Sequence, residues 1–185
     1  MKRLAVVALS ALMCVNAFAL FSETEPNNTR ATADNVIYNL RTTPPFADVG
    51  VLFLGQNDSD FFRIRLEAGD WLTAITFPIQ PNYIEPDTVM ALFDATGNNA
   101  IVWNDDAGTG FGSAIRWQAD MSGDYYIAIT GYHGAGQDDI SYYEGVTHLK
   151  LGAYILTVSV VPEPASMLAL GAGLAGLAAL RRRKK

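Results

Sequence analysis

Carboxylate and amide side chains are concentrated at two places in the first third of the chain. Six of them form the candidate set: Glu23, Glu25, Asn27, Asn28, Asp58 and Asp60. Their oxygens are hard ligands, and Ca²⁺ binds roughly six to eight such oxygens at about 2.3–2.6 Å. The first four stand close together, and the two aspartates precede an alternating apolar segment that indicates a strand. The pattern favours a calcium site that fixes the amino-terminal segment to the body of the domain.

A simpler interpretation of the same residues stays open. Asn27 or Asn28 could cap a short helix over Asn28–Tyr38, because asparagine side chains accept hydrogen bonds from the first backbone N–H groups of a helix. In that case Glu23 and Glu25 would be solvated surface residues.

A second acidic group comes later in the chain and also has two explanations. Asp87 stands before an apolar strand pattern, and Asp105 and Asp106 follow another. A cation between them would use the same kind of oxygen ligand. The segment Asn104–Gly108 is also a good loop on turn chemistry alone, since Asn, Asp and Gly favour turns.

Catalytic motifs are missing from the sequence. The two histidines, His133 and His148, stand in no HExxH segment, and no Gly-x-Ser-x-Gly elbow occurs. Acidic residues are so common that no single pair of them indicates glycoside hydrolysis. The sequence therefore favours a protein that is not an enzyme, with an unrecognised active site as the minor alternative.

Short alternating segments separated by Gly, Asp and Asn run through the middle of the chain. The strand candidates are Phe62–Leu66, Trp71–Phe77, Val89–Phe93, Ile101–Trp103, Ala114–Gln118, Tyr125–Thr130 and Tyr154–Val160. Short strands at even spacing are typical of antiparallel sandwiches and barrels. We expect an all-β domain over residues 20–161, an antiparallel two-sheet β-sandwich of jelly-roll-like type. The side chains expected to point inward are Trp71, Ile75, Leu92, Ile115, Ile127 and Leu156.

The stretch from Tyr132 to Lys150 is long, polar and rich in aromatic residues. Long loops in compact domains are usually functional or mobile. A carbohydrate- or protein-binding module that uses the Tyr132–Glu144 loop, with Tyr132, Tyr142 and Tyr143 on its ligand face, is therefore an alternative function. A mobile or merely decorative loop is the simpler explanation.

The amino end has the three parts of a secretory signal peptide. A basic start is followed by the apolar run Leu4–Cys14 and by an Ala-x-Ala site that ends at Ala19. We expect residues 1–19 to be removed on export, which leaves Leu20 as the first residue. Cys14 is the one cysteine of the chain and would leave with this peptide. The exported domain is then expected to have neither a disulfide nor thiol chemistry.

The carboxyl end carries a second targeting pattern. Pro162, Glu163 and Pro164 precede the apolar run Ala165–Leu180, and basic residues close the chain. As a helix this run would be about 24 Å long, slightly short of the roughly 30 Å hydrocarbon core, so it could just span a bilayer. The terminal cations would stay in the cytoplasm by the positive-inside rule. We therefore expect residues 162–185 to form a separate segment that anchors the chain in the inner membrane.

The charge of the middle segment differs from that of the whole chain, which has 13 basic residues, 19 acidic residues and a net charge of −6. Seven of the basic residues lie in the two end segments, and Glu163 is the one acid there. Residues 20–161 therefore keep 6 basic and 18 acidic residues, a net charge of −12. A surface this acidic repels phosphates, so nucleic acid is not an expected partner.

The triplet at 162–164, the short Gly-, Ala- and Leu-rich span and the terminal Arg cluster together resemble the PEP-CTERM sorting signal of Gram-negative bacteria. The resemblance implies an exosortase as the processing partner, with cleavage near the triplet. It also implies transient anchoring in the inner membrane, followed by display at the cell surface or release outside the cell. The family is associated with exopolysaccharide and biofilm matrix, so matrix components are the further partners that it implies.

The body of the chain, from about Glu23 to Val160, resembles the bacterial pre-peptidase C-terminal domain, which is a β-sandwich. The matching segments, in order, are Glu23–Asn28, Asp58–Phe62, Glu67–Asp70, Leu92–Gly97, Asn104–Asp106, Ser122–Tyr126 and Gly152–Leu156. In structurally similar modules of clostridial collagenases the amino-terminal acidic stretch binds calcium, which implies the same role for Glu23–Asn28. Those modules often carry an acid where Asn28 stands, so the site in this chain has less negative charge.

Overall fold

The computed structural model describes residues 18–36, 46–79 and 86–162. Residues 1–17 of the predicted signal peptide and the sorting segment from Glu163 onward, including its predicted helix, lie outside the described residues. The last two residues of the predicted peptide, Phe18 and Ala19, are described and begin the first strand. No helix among the described residues is long and apolar enough to cross a membrane.

Within the described ranges, ten strands form two five-stranded sheets. The strands are β1 (Phe18–Phe21), β2 (Asp34–Asn35), β3 (Phe46–Leu54), β4 (Ser59–Leu66), β5 (Trp71–Pro78), β6 (Thr88–Asp94), β7 (Val102–Asn104), β8 (Ala114–Gln118), β9 (Gly123–Gly131) and β10 (Gly152–Val161). The first sheet has the order β1-β3-β10-β5-β8 and the second the order β2-β4-β9-β6-β7. The predicted all-β, two-sheet architecture is confirmed. The sheets are mixed, because the short edge strands β1 and β2 pair parallel to β3 and β4 while the other pairs are antiparallel.

The core between the sheets follows from alternation along the strands. Leu92, Ile115, Ile127 and Leu156 are buried there, as the sequence predicts. The prediction is wrong for Trp71 and Ile75, which lie on the outer side of β5 while Leu72 and Ala74 point inward. Both sides of this strand carry apolar residues, so its pattern does not reveal which side faces the core. On the outside, the Arg116 guanidinium lies 4.3 Å from the centroid of the Trp71 ring.

The loop from Tyr132 to Lys150, here called the covering loop, packs on the outer face of the second sheet. Its Ile140, Tyr142 and Tyr143 are buried, and a 3₁₀ turn over Ile140–Tyr142 places them. They form a second apolar cluster with the outward side chains of the sheet: Phe61, Val89, Ala91, Phe93 and Ala128. This face is therefore not in contact with solvent at its centre.

Strand β1 fixes the start of the acidic segment. The Phe21 ring packs over Gly50, where an added Cβ would lie only 2.8 Å from the ring, and makes an edge contact with Phe62 at 5.6 Å between centroids. Only glycine leaves room for the ring at this point of β3. Glu23 and Glu25 follow shortly after β1 in the sequence, so they lie at the end of the sandwich where β3 ends and β4 begins.

The predicted helix over Asn28–Tyr38 is wrong for the residues that the structure describes, 28–36. Thr29 and Thr32 close a single turn, with the Thr32 N–H donating to the Thr29 carbonyl at 3.1 Å. The chain then extends into β2, and Val36 donates its N–H to the Arg63 carbonyl at 2.9 Å and is fully buried. The backbone groups of β2 form hydrogen bonds with β4, and they could not form these bonds if the segment were a helix. A helix-capping role for Asn27 or Asn28 therefore has no helix to cap.

Candidate metal centre

Three carboxylates from two separate parts of the sequence meet at this end of the sandwich. Glu23, Glu25 and Asp60 each offer an oxygen, and these oxygens all lie within 4.8 Å of one another. Two oxygens bound to one calcium ion at roughly 2.4 Å cannot be more than about 4.8 Å apart. The spacing therefore fits ligands of one ion, and we call these residues with Asn27 and Asn28 the amino-terminal cluster.

Each carboxylate is held by one oxygen and leaves the other available. The Phe53 N–H donates to Glu23 Oε1 at 2.7 Å, and the Asn27 N–H donates to Glu25 Oε2 at 3.2 Å. Asp60 is fully buried on β4, and the hydroxyl of Tyr154 on β10 donates to its Oδ2. Strands β3, β4 and β10 thus orient Glu23 and Asp60, whereas Glu25 is held within its own segment.

Four buried side-chain oxygens of the amino-terminal cluster have no hydrogen-bond partner. They are Glu23 Oε2, Asn27 Oδ1, Asn28 Oδ1 and Asp60 Oδ1. Asn27 and Asp60 are themselves 0% exposed. A buried acceptor without a partner costs about 1–3 kcal/mol, and more when it is charged. All four acceptors belong to residues that the sequence predicts as ligands. A bound cation would give each of them a partner.

Asp58 takes a different place from the other predicted ligands. Its Oδ2 accepts from the Gly55 N–H at 2.8 Å, and its Oδ1 accepts from the Ser59 N–H at 3.0 Å and from Asn28 Nδ2 at 2.8 Å. The last bond fixes the Asn28 amide with its nitrogen toward Asp58, which leaves the amide oxygen free. The structure thus joins Asp58 to the amino-terminal cluster through Asn28, and direct ligation by Asp58 stays a prediction.

Asp34 is a contributor that the sequence did not reveal. Its Oδ2 accepts from the Thr24 N–H at 2.6 Å and from Asn27 Nδ2 at 3.4 Å. It therefore holds the acidic segment closed and turns the Asn27 amide. Only the pairing of β2 with β4 brings Asp34 here, and no local pattern in the sequence signals that pairing.

The three carboxyl groups of the amino-terminal cluster lie close together and are partly or fully buried, and both effects raise their pKa values. Burial raises the pKa of Glu23 to about 7, with the Phe53 hydrogen bond opposing the rise and the charges of Glu25 and Asp58 adding to it. Burial and the Asp58 charge raise the pKa of Glu25. Burial, with the Glu23 charge, raises the pKa of Asp60 well above its ordinary value. Without a cation the amino-terminal cluster favours protons, since nearby positive charge is what would lower these pKa values.

The second acidic group also assembles. Oxygens of Asp87, Asp105 and Asp106 lie within 4.8 Å of one another. Burial and the charges of Asp106 and Asp87 raise the pKa of Asp105 to about 6. Lys150 Nζ lies 2.7 Å from Asp87 Oδ2, so part of the negative charge is already balanced by a side chain.

Both histidines have structural contacts. His148 is buried, and its Nε2 lies 2.8 Å from the Asp58 carbonyl oxygen, so it packs behind the turn that carries Asp58. The His133 ring stacks on Tyr142 with 3.7 Å between ring centroids. Neither belongs to an acidic group described above.

Comparison with known proteins gives one family match, to the PEP-CTERM protein-sorting motif over residues 160–184. This motif identifies an exported protein that an exosortase sorts toward the cell surface. No curated protein matches the chain.

Solved structures with a similar fold include PliG of Aeromonas hydrophila, a periplasmic inhibitor of g-type lysozyme. That match has 13% identity and a TM-score of 0.42, and it covers 78% of this chain and 99% of the other. Another is the pre-peptidase C-terminal domain of a collagenase from Bacillus anthracis, with 12% identity, a TM-score of 0.40, and coverage of 77% and 95%.

Proposed function

We propose that the chain is a non-enzymatic, exported β-sandwich module that binds Ca²⁺ through its amino-terminal cluster. An exosortase processes its tail, and the domain acts at the cell surface or in the exopolysaccharide matrix. The observation that carries the calcium proposal is the set of four buried, partnerless oxygens on Glu23, Asn27, Asn28 and Asp60.

The donor set suits calcium better than magnesium. Three carboxylates and two amide oxygens come from a short segment and one strand, and solvent or Asp58 can complete the shell. Ca²⁺ accepts such mixed and irregular shells, whereas Mg²⁺ requires near-octahedral geometry at about 2.0–2.1 Å and keeps several waters. Three negative charges in a partly buried site also match a divalent cation better than a monovalent one.

The ion would hold the amino-terminal segment against the second sheet. Glu23, Glu25 and the asparagines belong to this segment, whereas Asp60 belongs to the second sheet. An ion that binds only the folded state stabilises that state by mass action, by about 2.7 kcal/mol at a hundredfold excess over Kd. Calcium would therefore keep this segment folded outside the cell.

The alternative function, ligand binding by the Tyr132–Glu144 loop, is not favoured in the form that the sequence suggested. Tyr142 and Tyr143 are buried against the second sheet. The Tyr142 hydroxyl accepts from the His133 N–H, and the Tyr143 hydroxyl donates to the Gln137 carbonyl. Of the three tyrosines, Tyr132 alone is exposed, so packing explains the other two.

The test is thermal unfolding of the exported protein with and without chelator. We expect chelation to lower the melting temperature by several degrees, which is the shift that a few kcal/mol produce in a domain of this size. The double substitution Glu25→Gln with Asp60→Asn should remove most of this chelator effect. Asp138→Asn, a loop acid outside the amino-terminal cluster, is the matched control and should retain it. Equal melting curves with chelator and with millimolar calcium would refute the proposal.

A further inference from the structure

The outer face of the first sheet is apolar and open among the described residues. We call it the open face: the outward side of β3, β10 and β5 with the adjoining residue of β1. Three of its side chains are unusually exposed for apolar residues, Leu20 at 83%, Val51 at 60% and Phe53 at 53%. Large exposed apolar side chains that lie together mark interaction surfaces more often than isolated ones do.

Strand register makes this patch continuous. Val51 pairs with Ile155, and Ile155 pairs with Phe77, so three apolar side chains form one row across β3, β10 and β5. Thr157 and Ile75 lie in the adjacent row, which reaches Leu20 through Val49. Residues that pair across strands stand on the same side of a sheet, so these rows form one surface.

Among the described residues, only one of the two outer faces of the sandwich is covered. The covering loop packs Ile140, Tyr142 and Tyr143 onto the second sheet and buries its outward side chains. No described segment does the same for the first sheet, whose outward residues on β5 and β10 are only partly buried. The open face is therefore the apolar surface that the described fold leaves without a partner.

The charges of the domain limit which partners can cover the open face. Arg116 is the one charged residue on the outward side of the described strands of this sheet, and it already stacks on Trp71. The rest of the domain is strongly acidic, with the net charge of −12 given above. Anionic lipid would be repelled by those acids, and a basic partner would find no acid on this face. Two copies of the chain repel each other everywhere except where neither carries negative charge.

We propose that the open face is the interface at which two copies of this chain pack face to face. Packed sheets lie about 10 Å apart with strands within about 30° of each other. A two-fold axis along β10 would set Ser159 opposite its own copy and place both Val161 ends on the same side. Both sorting tails, which begin directly after β10, would then reach one membrane. Anchoring in that membrane raises the effective concentration of copies for each other.

Cysteine cross-linking of the full chain tests this geometry. The single native cysteine is replaced by Cys14→Ser, and Ser159→Cys is introduced on the open face. Ser141→Cys, at an exposed position of the covering loop, is the matched control. Sheets about 10 Å apart hold the two Cα atoms beyond the roughly 7 Å that a disulfide can bridge, so a short bifunctional thiol reagent is applied to intact cells. We expect a cross-linked dimer from Ser159→Cys and none from Ser141→Cys. No dimer from Ser159→Cys, or equal dimer from both variants, would overturn the proposal.

A charge placed on the open face gives an independent readout. In the exported protein, Val51→Glu sets two acids against each other across the interface. We expect sedimentation to change from dimer to monomer with little change in melting temperature, because this side chain is mostly exposed. A wild-type protein that stays monomeric at every concentration, with Val51→Glu lowering the melting temperature, would show that the chain covers its own face. The pair Glu25→Gln with Asp60→Asn should still cross-link through Ser159→Cys, so failure of calcium binding remains distinguishable.

Discussion

The Tyr154 hydroxyl donates a hydrogen bond to Asp60 Oδ2, and both residues are completely buried. Tyr154 stands on β10 of the first sheet and Asp60 on β4 of the second, so the bond crosses the sandwich beneath the amino-terminal cluster. It occupies one oxygen of Asp60 and leaves Oδ1 without a partner. The tyrosine therefore sets the direction in which this carboxylate presents its free oxygen.

Removal of that hydroxyl should weaken calcium binding as well as stability. Tyr154→Phe leaves Asp60 Oδ2 buried without a donor, which costs about 1–3 kcal/mol. It also frees the carboxylate to rotate, so we expect a larger Kd for calcium by titration calorimetry. Tyr126→Phe, on a partly buried tyrosine of β9, is the control for loss of a hydroxyl. A variant that is less stable but binds calcium with unchanged Kd would show that Tyr154 has no positioning role.

The calcium-free protein should lose stability as the pH rises through the window set by Glu23. The folded-state pKa of Glu23 is about 7 against an ordinary value of 4.5, mainly because of burial. Between these values the folded chain binds more protons than the unfolded chain, so the free energy of unfolding falls with increasing pH. Calcium competes with those protons, and its stabilising effect should grow across the same window.

Melting temperatures in chelator and in millimolar calcium, at about pH 5 and about pH 8, measure this linkage. The difference between the two conditions should be larger at the higher pH. Glu23→Gln should make the chelator curve less dependent on pH. A calcium effect that is larger at the lower pH would contradict the assignment of these acids as ligands.

Gly50 should control how firmly the acidic segment is held. Gly50→Ala places a Cβ 2.8 Å from the Phe21 ring, which must move and carry β1 with it. We expect faster cleavage of the amino-terminal segment in limited proteolysis and a larger Kd for calcium. Gly123→Ala is the control, because its Cβ would meet only Tyr125, at 3.8 Å. Equal proteolysis of the two variants would mean that β1 does not position the amino-terminal cluster.

Alanine in place of Pro162, Glu163 and Pro164 should block processing without unfolding the domain, because β10 ends at Val161. The expected result is a full-length, cell-associated chain, seen by immunoblot of membranes and medium. A strain without exosortase should give the same pattern with the wild-type sequence. Release of the triple variant at the wild-type rate would contradict the sorting role of the triplet.

Sequence patterns predicted well what depends on neighbouring residues along one strand. The strand containing Leu156 has a clear apolar side, because Thr157 and Ser159 stand on the other, and Leu156 lies in the core as predicted. Leu92 and Ile127 also lie in the core as predicted, although the outer sides of their strands are apolar too. Strand β5 is apolar on both sides, because the open face adds Ile75 and Phe77 to the inward Leu72, so its orientation was predicted wrongly. The apolar residues on the outer side of β5 make its orientation ambiguous in the sequence, and the same residues form part of the open face in the structure.

The candidate site divides in the same way. The spacing of Glu23 and Glu25 and the position of Asp60 beside an alternating apolar segment predicted residues that do meet in space. Asp34 and Tyr154 were not predicted, since their contacts depend on how β2 and β10 pack in three dimensions. The helix at Asn28 was predicted because local propensity cannot include the partner that β4 offers to β2.

Anomalous diffraction from a crystal of the exported protein grown in calcium is the most direct test of the central claim. The account predicts one calcium peak in the amino-terminal cluster, at about 2.3–2.6 Å from oxygens of Glu23, Glu25 and Asp60 and from the amide oxygens of Asn27 and Asn28. The peak should be absent from crystals of the Glu25→Gln, Asp60→Asn variant. A wild-type map with no peak there, or with a peak only beside Asp87 and Asp105, would contradict it.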